Sequence, residues 1–329
     1  MQESNKPLSI LPLVETISIK LGTRCNLKCK YCHQQAQDIS VNEDVFSFLS
    51  VQPNLKEIRL SGGEPLLYKE LIMKIKAYVS GGVKISMVSN GTLLSDDNIQ
   101  WLNANDIFYG VSYDGESNLR GTAPDFSHIA KLVNFIGIST VVTSKFNYDK
   151  FYEDIDVAMR ISGKNLVSYP NFIHQTQDNP NIELVTEETV STYIEFIANE
   201  LLYEFDLYIS GIDLMCLPFL RSYLNELSNN ASLKCRGVRC CNEKHLRMSI
   251  DGKFKLCYYG EVLVGDIYAG VDWDLVESYI PDKCRNCRFW KLCRNHCISN
   301  ITDNECTIFK EIYKRFAEKV GERFAKQGI

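Results

Sequence analysis

The sequence has little positive charge to spare: 36 Lys and Arg against 41 Asp and Glu leave a net charge of −5. No diffuse basic field is available to attract a phosphate backbone or an anionic lipid surface, so neither nucleic acid nor membrane is an expected partner. Long apolar runs are missing as well. The stretch from Phe135 to Val142 holds eight residues and is interrupted by Gly137, far below the roughly 20 that a membrane span needs. Near the N-terminus Glu3, Lys6, Pro7 and Pro12 break up the short apolar stretch, which argues against a secretory h-region and for a cytoplasmic protein. Low complexity is also absent, since 45% apolar and 23% charged residues over 329 positions describe an ordinary globular chain of about two domains.

Cysteine is the exception. There are 13, an odd number in a compartment that does not favour disulfides, so metal binding is their expected use. Cys25, Cys29 and Cys32 share one short stretch, none follows until Cys216, and the rest crowd between Cys235 and Cys306. Two candidate metal regions thus flank a cysteine-free body.

In that body β-rich runs alternate with helical patterns. Strands are expected near 15–21, 56–60, 83–88, 107–113, 138–143 and 166–170, with helices near 41–49, 68–80, 95–104, 124–135 and 148–162. The alternation predicts an α/β fold on a parallel sheet, either a partial (β/α)6 barrel or an open doubly wound sheet, with ligands at the C-terminal strand ends. Residues 1–14 read as an N-terminal extension, 15–230 as the α/β body and 231–329 as a small Cys-rich domain. A further helix is expected over Glu187–Phe205 with Thr186 as N-cap. "MSIDGKFKLC" predicts a hairpin turning at Asp251-Gly252, and a helix from Thr307 to Lys326 closes the chain.

Cys25-x3-Cys29-x2-Cys32 follows the first strand directly. Three thiolates can hold three irons of a [4Fe–4S] cube and leave the fourth iron open to a chelating ligand, while a zinc site completed by His33 is the competing reading. The run "CNLKCKYC" resembles the radical S-adenosylmethionine (SAM) enzymes, with Tyr31 as the aromatic residue before the third cysteine. The resemblance implies that Cys25, Cys29 and Cys32 hold the catalytic cluster and that the methionine of SAM chelates its open iron. Reductive cleavage of SAM then yields a 5′-deoxyadenosyl radical that abstracts hydrogen from the substrate. "SGGEP" is similar to the family's Gly-Gly-Glu motif, which implies that Gly62, Gly63 and Glu64 receive the methionine ammonium; the glycines also permit close backbone approach. By the same resemblance, Ser89 and Asn90 of "VSNGT", with Ser112 and Asp114 of "GVSYDG", contact the ribose and carboxylate of SAM. Arg120 would pair with the methionine carboxylate, the competing reading being a solvated surface arginine.

Downstream, Cys241-x10-Gly252-x4-Cys257, Cys284-x2-Cys287-x5-Cys293-x3-Cys297 and Cys306 form an ordered array. It resembles the SPASM extension of radical SAM enzymes. That implies one auxiliary [4Fe–4S] cluster on Cys235, Cys241, Cys257 and Cys297, and another on Cys284, Cys287, Cys293 and Cys306, for three clusters in all. Cys240 is the alternative to Cys241, a zinc ribbon is the competing reading of the array, and Cys216 in "LMCLPF" reads as a buried hydrophobe.

Fully ligated auxiliary clusters suit electron transfer, so a net two-electron oxidation is the expected reaction. Related SPASM enzymes chiefly modify ribosomally made peptides, which implies an oxidoreductase that cross-links or dehydrogenates a short peptide; a small metabolite is the alternative substrate. The anaerobic sulfatase-maturating subgroup carries an aspartate after the second SPASM cysteine, where this chain has Tyr258. A flavodoxin- or ferredoxin-type protein is the expected electron donor. About 14 residues precede the first strand, so either a separate protein binds a leader peptide or the substrate has none. The polar insert at 173–180, which contains His174, is a candidate lining for the substrate entrance.

Overall fold

The first strands carry apolar residues at alternate positions, and the backbone pleat turns that pattern into two unlike faces. In the computed structural model β1 (Thr16–Lys20) reads TISIK, β2 (Glu57–Ser61) EIRLS and β3 (Lys84–Ser89) KISMVS. Ile17, Ile19, Ile58, Leu60, Ile85 and Met87 are buried in the main hydrophobic core with residues of the connecting helices. The structure describes residues 6–32, 39–115, 120–142, 146–164, 168–172, 187–211, 243–256, 262–279 and 303–326.

Three more strands follow, β4 (Phe108–Ser112), β5 (Phe135–Val142) and β6 (Ser168–Phe172). Between the strands run α1 (Asp44–Ser50), α2 (Lys69–Tyr78), α3 (Asp96–Ala104), α4 (Phe126–Ala130) and α5 (Tyr148–Ser162). Strands β1 to β6 lie side by side in chain order, each parallel to the next. A doubly wound sheet reverses its strand order part-way, and this one does not. Crossovers of one hand between consecutive neighbours put every helix on the same side, which is barrel winding, and the sheet remains open rather than closed.

The second half joins the same sheet. A long helix, α6 (Glu187–Ile209), runs one turn beyond its expected end; its expected N-cap, Thr186, lies outside the described residues. Then β7 (His245–Ser249) pairs parallel to β1 on the side away from β2. The hairpin turns where expected: β8 (Lys253–Lys255) returns antiparallel after Gly252, whose φ is +86°. β9 (Leu263–Asp266) and β10 (Gly270–Val271) complete the sheet, before α7 (Trp273–Ser278) and the closing helix α8 (Asp303–Lys326). Strands from both sides of residue 230 therefore share hydrogen bonds.

One element departs from expectation. A helix over 124–135 fits the spacing of Phe126, Ile129 and Leu132, yet α4 stops at Ala130 and β5 begins at Phe135. Asn103 on α3 accepts from the Val133 amide at 2.9 Å and donates to the Lys131 carbonyl at 2.9 Å. Those backbone groups are thereby withdrawn from any further helical turn.

Candidate functional site

Strands β1 to β6 point their C-terminal ends the same way, so the loops after β1, β2, β3 and β4 gather along one rim. The loop after β1 is latched to the loop after β2. Gly63 N donates to Gly22 O at 3.0 Å and Glu64 N donates to Arg24 O at 2.9 Å. Gly62 has φ +145°, and a Cβ there would sit 2.5 Å from Gly22 O; one at Gly63 would collide with the Arg24 carbonyl. The glycines of SGGEP are thus required by the cysteine loop's own backbone. Tyr68 supports the latch from below, its hydroxyl accepting from Arg24 N at 2.7 Å while its ring lies 5.0 Å from the Arg24 guanidinium.

On this latched loop stand three thiols outside any disulfide, Cys25 exposed and Cys29 and Cys32 half-buried. Cys32 N donates to Cys29 O at 3.0 Å, which turns the chain between these two. Leu27 N and Asn90 Nδ2 point at Cys25 Sγ from 3.4 and 3.8 Å. Burial pushes the Cys29 thiol up to about 11, with Cys32 and Asp114 adding to the rise and Arg120 opposing it. Among the described residues no three His, Cys, Asp or Glu side chains converge on one point suited to a single ion. An iron–sulfur cube asks for something else, one thiolate per iron on a loop of fixed shape, and this donor set fits that demand.

Glu64 is fully buried at the end of β2. Its Oε1 accepts from Ser89 Oγ at 2.7 Å and Leu66 N at 3.1 Å, and its Oε2 from Asn90 N at 2.9 Å. Burial raises its pKa against these bonds. The carboxylate therefore ties the end of β2 to the end of β3. Asn90 carries the link on to the cysteine loop, donating to Asn26 Oδ1 at 2.9 Å, and Asn26 donates to Thr92 Oγ1 at 2.8 Å.

The third group is a buried triad. Asp114, just past β4, is 2% exposed; its Oδ2 accepts from the Tyr31 hydroxyl and from Arg120 Nε at 3.1 Å, and its Oδ1 from Val141 N at 2.8 Å. The Arg120 side chain is 7% exposed, so it is no surface arginine, and its guanidinium lies 5.7 Å from the Tyr31 ring. Desolvation works against the Arg120 charge, and Asp114, Tyr31 and Cys29 together outweigh it, leaving the guanidinium more basic than usual. Burial raises Tyr31 as well, with Asp114 adding to the effect. Tyr31 thus fastens the cysteine loop to the end of β4, as Asn90 fastens it to the end of β3.

Cys25, Cys29, Cys32, Tyr31, Gly62, Gly63, Glu64, Ser89, Asn90, Asp114 and Arg120 all come to this rim. Ser112 closes β4 beside them, half-buried and in register with Ser139. Cys235, Cys241, Cys257, Cys284, Cys287, Cys293 and Cys297 lie outside the described residues, as do Cys216, Cys240, His33, His174 and Tyr258. Cys306 falls in the first turn of α8. Sequence reading missed Asn26, Tyr68 and Thr92. Asn26 follows the first cysteine directly, but partners across 64 or 66 positions leave no periodic trace.

Residues 19–132 match the model of the Radical SAM superfamily. Over 91% of its length the chain is 24% identical to 92% of a cysteine-type anaerobic sulfatase-maturating enzyme of Clostridium novyi (strain NT). A probable GTP 3′,8-cyclase of Methanothermobacter marburgensis is 36% identical, over 31% of this chain and 36% of its own. Among solved structures, native anSMEcpe with bound AdoMet and Cp18Cys peptide superposes with a TM-score of 0.65 at 18% identity, covering 94% of this chain and 98% of that one. Streptococcus suis SuiB bound to precursor peptide SuiA gives 0.58 at 16% identity over 89% and 73%. At such identities the structural likeness speaks for the fold, and the family match speaks for the rim. The chain carries a radical SAM domain over residues 19–132 and is an enzyme.

Proposed function

We propose that the chain is a radical SAM/SPASM oxidoreductase that cross-links or dehydrogenates a ribosomally made peptide. The observation that carries this reading is the exposed three-thiol loop, tied by Tyr31 and Asn90 to the ends of two neighbouring strands. The peptide as substrate is supported by likeness to proteins whose structures hold a Cp18Cys peptide and a precursor peptide. Cys25, Cys29 and Cys32 would hold the first cluster, and the downstream cysteines two auxiliary ones. When bound, cluster and SAM supply a 5′-deoxyadenosyl radical able to abstract hydrogen.

The chain's own residues do the positioning. Asn90 and Leu27 direct N–H groups at the Cys25 sulfur and so fix where it stands. Asp114 keeps Tyr31 and Arg120 in one arrangement beside Cys29, excluding water from that side of the loop. Arg24, Lys28 and Lys30 are exposed around Cys25 and offer a basic surface to an acidic one-electron donor of flavodoxin or ferredoxin type.

Mass spectrometry of a short peptide encoded beside the gene tests the reading, after anaerobic incubation with reconstituted enzyme, SAM and a strong reductant. Loss of two hydrogens' mass, coupled to 5′-deoxyadenosine, is expected. Deoxyadenosine without peptide change moves the assignment to a small metabolite, and zinc in place of about twelve irons rejects the three-cluster reading. Formylglycine in a Cys peptide would instead support the sulfatase-maturating alternative, which likeness to the Clostridium novyi relative favours and the residue after Cys257, Tyr258, disfavours.

A further inference from the structure

Tyr109 of β4 is 0% exposed and belongs to the main core, yet its hydroxyl has no hydrogen-bond partner among the described residues. Buried tyrosines ordinarily sit where the O–H finds a partner, and one left unpaired carries the full cost of its lost hydration. Phenylalanine would fill the ring's place without that cost. The unpaired hydroxyl therefore calls for a use.

Its neighbours supply one. Met87 stands in register with Tyr109 and Ser89 with Val111, so Ser89 lies on the same face of the sheet, about 7 Å further up the adjacent strand. Burial raises the pKa of the Tyr109 hydroxyl, Ser89 works against the rise and the Glu64 charge adds to it. Both groups are therefore within reach of the ring's polar end. They begin the chain that holds the rim. Ser89 Oγ donates to Glu64 Oε1 at 2.7 Å, Glu64 Oε2 accepts from Asn90 N at 2.9 Å, and Asn90 Nδ2 reaches Asn26 Oδ1 and Cys25 Sγ. Ser89 Oγ also accepts from Gly91 N at 3.1 Å. A serine hydroxyl has one proton to give, and Glu64 holds it. Were a ligand to take that proton, Oε1 would keep Leu66 N alone, at 3.1 Å, and a fully buried carboxylate would be short of a donor.

We propose that Tyr109 is a positioning residue that keeps a donor in reserve: when Ser89 turns its hydroxyl to bound SAM, the Tyr109 hydroxyl donates to Glu64 Oε1 in its place. The carboxylate then keeps its full set of hydrogen bonds through binding, and Asn90 stays where it holds the cysteine loop. SAM binding gains the hydrogen bond that the free enzyme forgoes. The inference rests on the reading of Ser89 as a contact of SAM and adds to it a residue that touches neither SAM nor cluster.

Two measurements on Tyr109→Phe, made with reconstituted full-length enzyme under anaerobic conditions, test it. Without SAM the urea midpoint should be unchanged or higher, because the substitution removes an unpaired hydroxyl and keeps the ring. In a SAM titration followed by the electron paramagnetic resonance of the reduced cluster, the half-saturating concentration should rise about fivefold, with SAM cleavage at saturation little changed. Ser89→Ala opens Oε1 to Tyr109 in the free enzyme, so in that background Tyr109→Phe should lower the urea midpoint, the opposite sign, and leave SAM affinity where Ser89→Ala alone puts it. Unchanged SAM affinity in Tyr109→Phe overturns the proposal. So does a lowered midpoint in that single variant, which would mean that the hydroxyl is already paired, as by a buried water. If the unaltered enzyme shows no response to SAM, the SAM reading fails instead, and the midpoints in the two backgrounds still decide whether Tyr109 can stand in for Ser89.

Discussion

At the scale of single residues, the site depends on carboxylates whose burial is compensated bond by bond. Asp114 is the sharpest case, because removing its charge strands the Arg120 guanidinium in a site that leaves it 7% exposed. Asp114→Asn keeps the shape and should cost about 3–5 kcal/mol in urea denaturation; a loss below about 1 kcal/mol would mean that Arg120 has another anionic partner of equal weight. His245 makes a prediction in pH. Its folded pKa is lowered to about 3, so between there and the ordinary histidine value the unfolded chain holds a proton that the folded chain refuses. Stability from this group is complete above about pH 6.5 and is lost as pH falls, by at most about 1.4 kcal/mol per pH unit. The slope of unfolding free energy between pH 6.5 and 4.5 should flatten in His245→Gln relative to the unaltered chain.

Among elements, the latch between the loops after β1 and β2 fixes where the thiols stand. Gly63→Ala puts a methyl group onto the Arg24 carbonyl, and the cysteine loop has to move. The expected result is loss of the SAM-induced change in the cluster's electron paramagnetic resonance spectrum, with Tm lowered by several degrees; an unchanged spectrum would show that the latch is slack. Most elements were legible because β1 and β2 alternate strictly and α5 is bounded by Asn147, which caps it through Lys150 N, and by Gly163 in the left-handed region. The cysteine loop was legible by spacing. What escaped was set by contacts remote in sequence: Asn103 ending α4, and Asn26 reaching Thr92. The glycines of SGGEP were noticed as a place for close approach, but the group that approaches is the loop's own backbone, which no local pattern can announce.

At the scale of the whole molecule, two cores divide the labour among the described residues. The large one lies between the sheet and helices α1 to α5. The small one joins Val142 of β5, Tyr193 and Leu201 of α6, and Ile312 and Phe316 of α8. The closing helix thus anchors the chain's end to the edge of the sheet opposite β7. Phe316, 5% exposed and edge-on to Phe205 at 6.4 Å, should cost about 3–4 kcal/mol when replaced by Ala. Limited proteolysis of that variant should cut α8 before the α/β body, and simultaneous cleavage of both would contradict two separate cores.

The seat of β7 beside β1 also bears on how the protein is made. Strand β1 emerges from the ribosome 229 residues ahead of its outer partner, Thr16 standing in register with His245. At ordinary elongation rates that edge waits roughly 10–50 s for its neighbour, and an unpaired strand edge is meanwhile a template for pairing with another chain. Ile17 and Ile19 on that strand are then a reason for co-translational chaperone binding, and the last quarter of the chain seals the first strand against aggregation as well as extending the sheet.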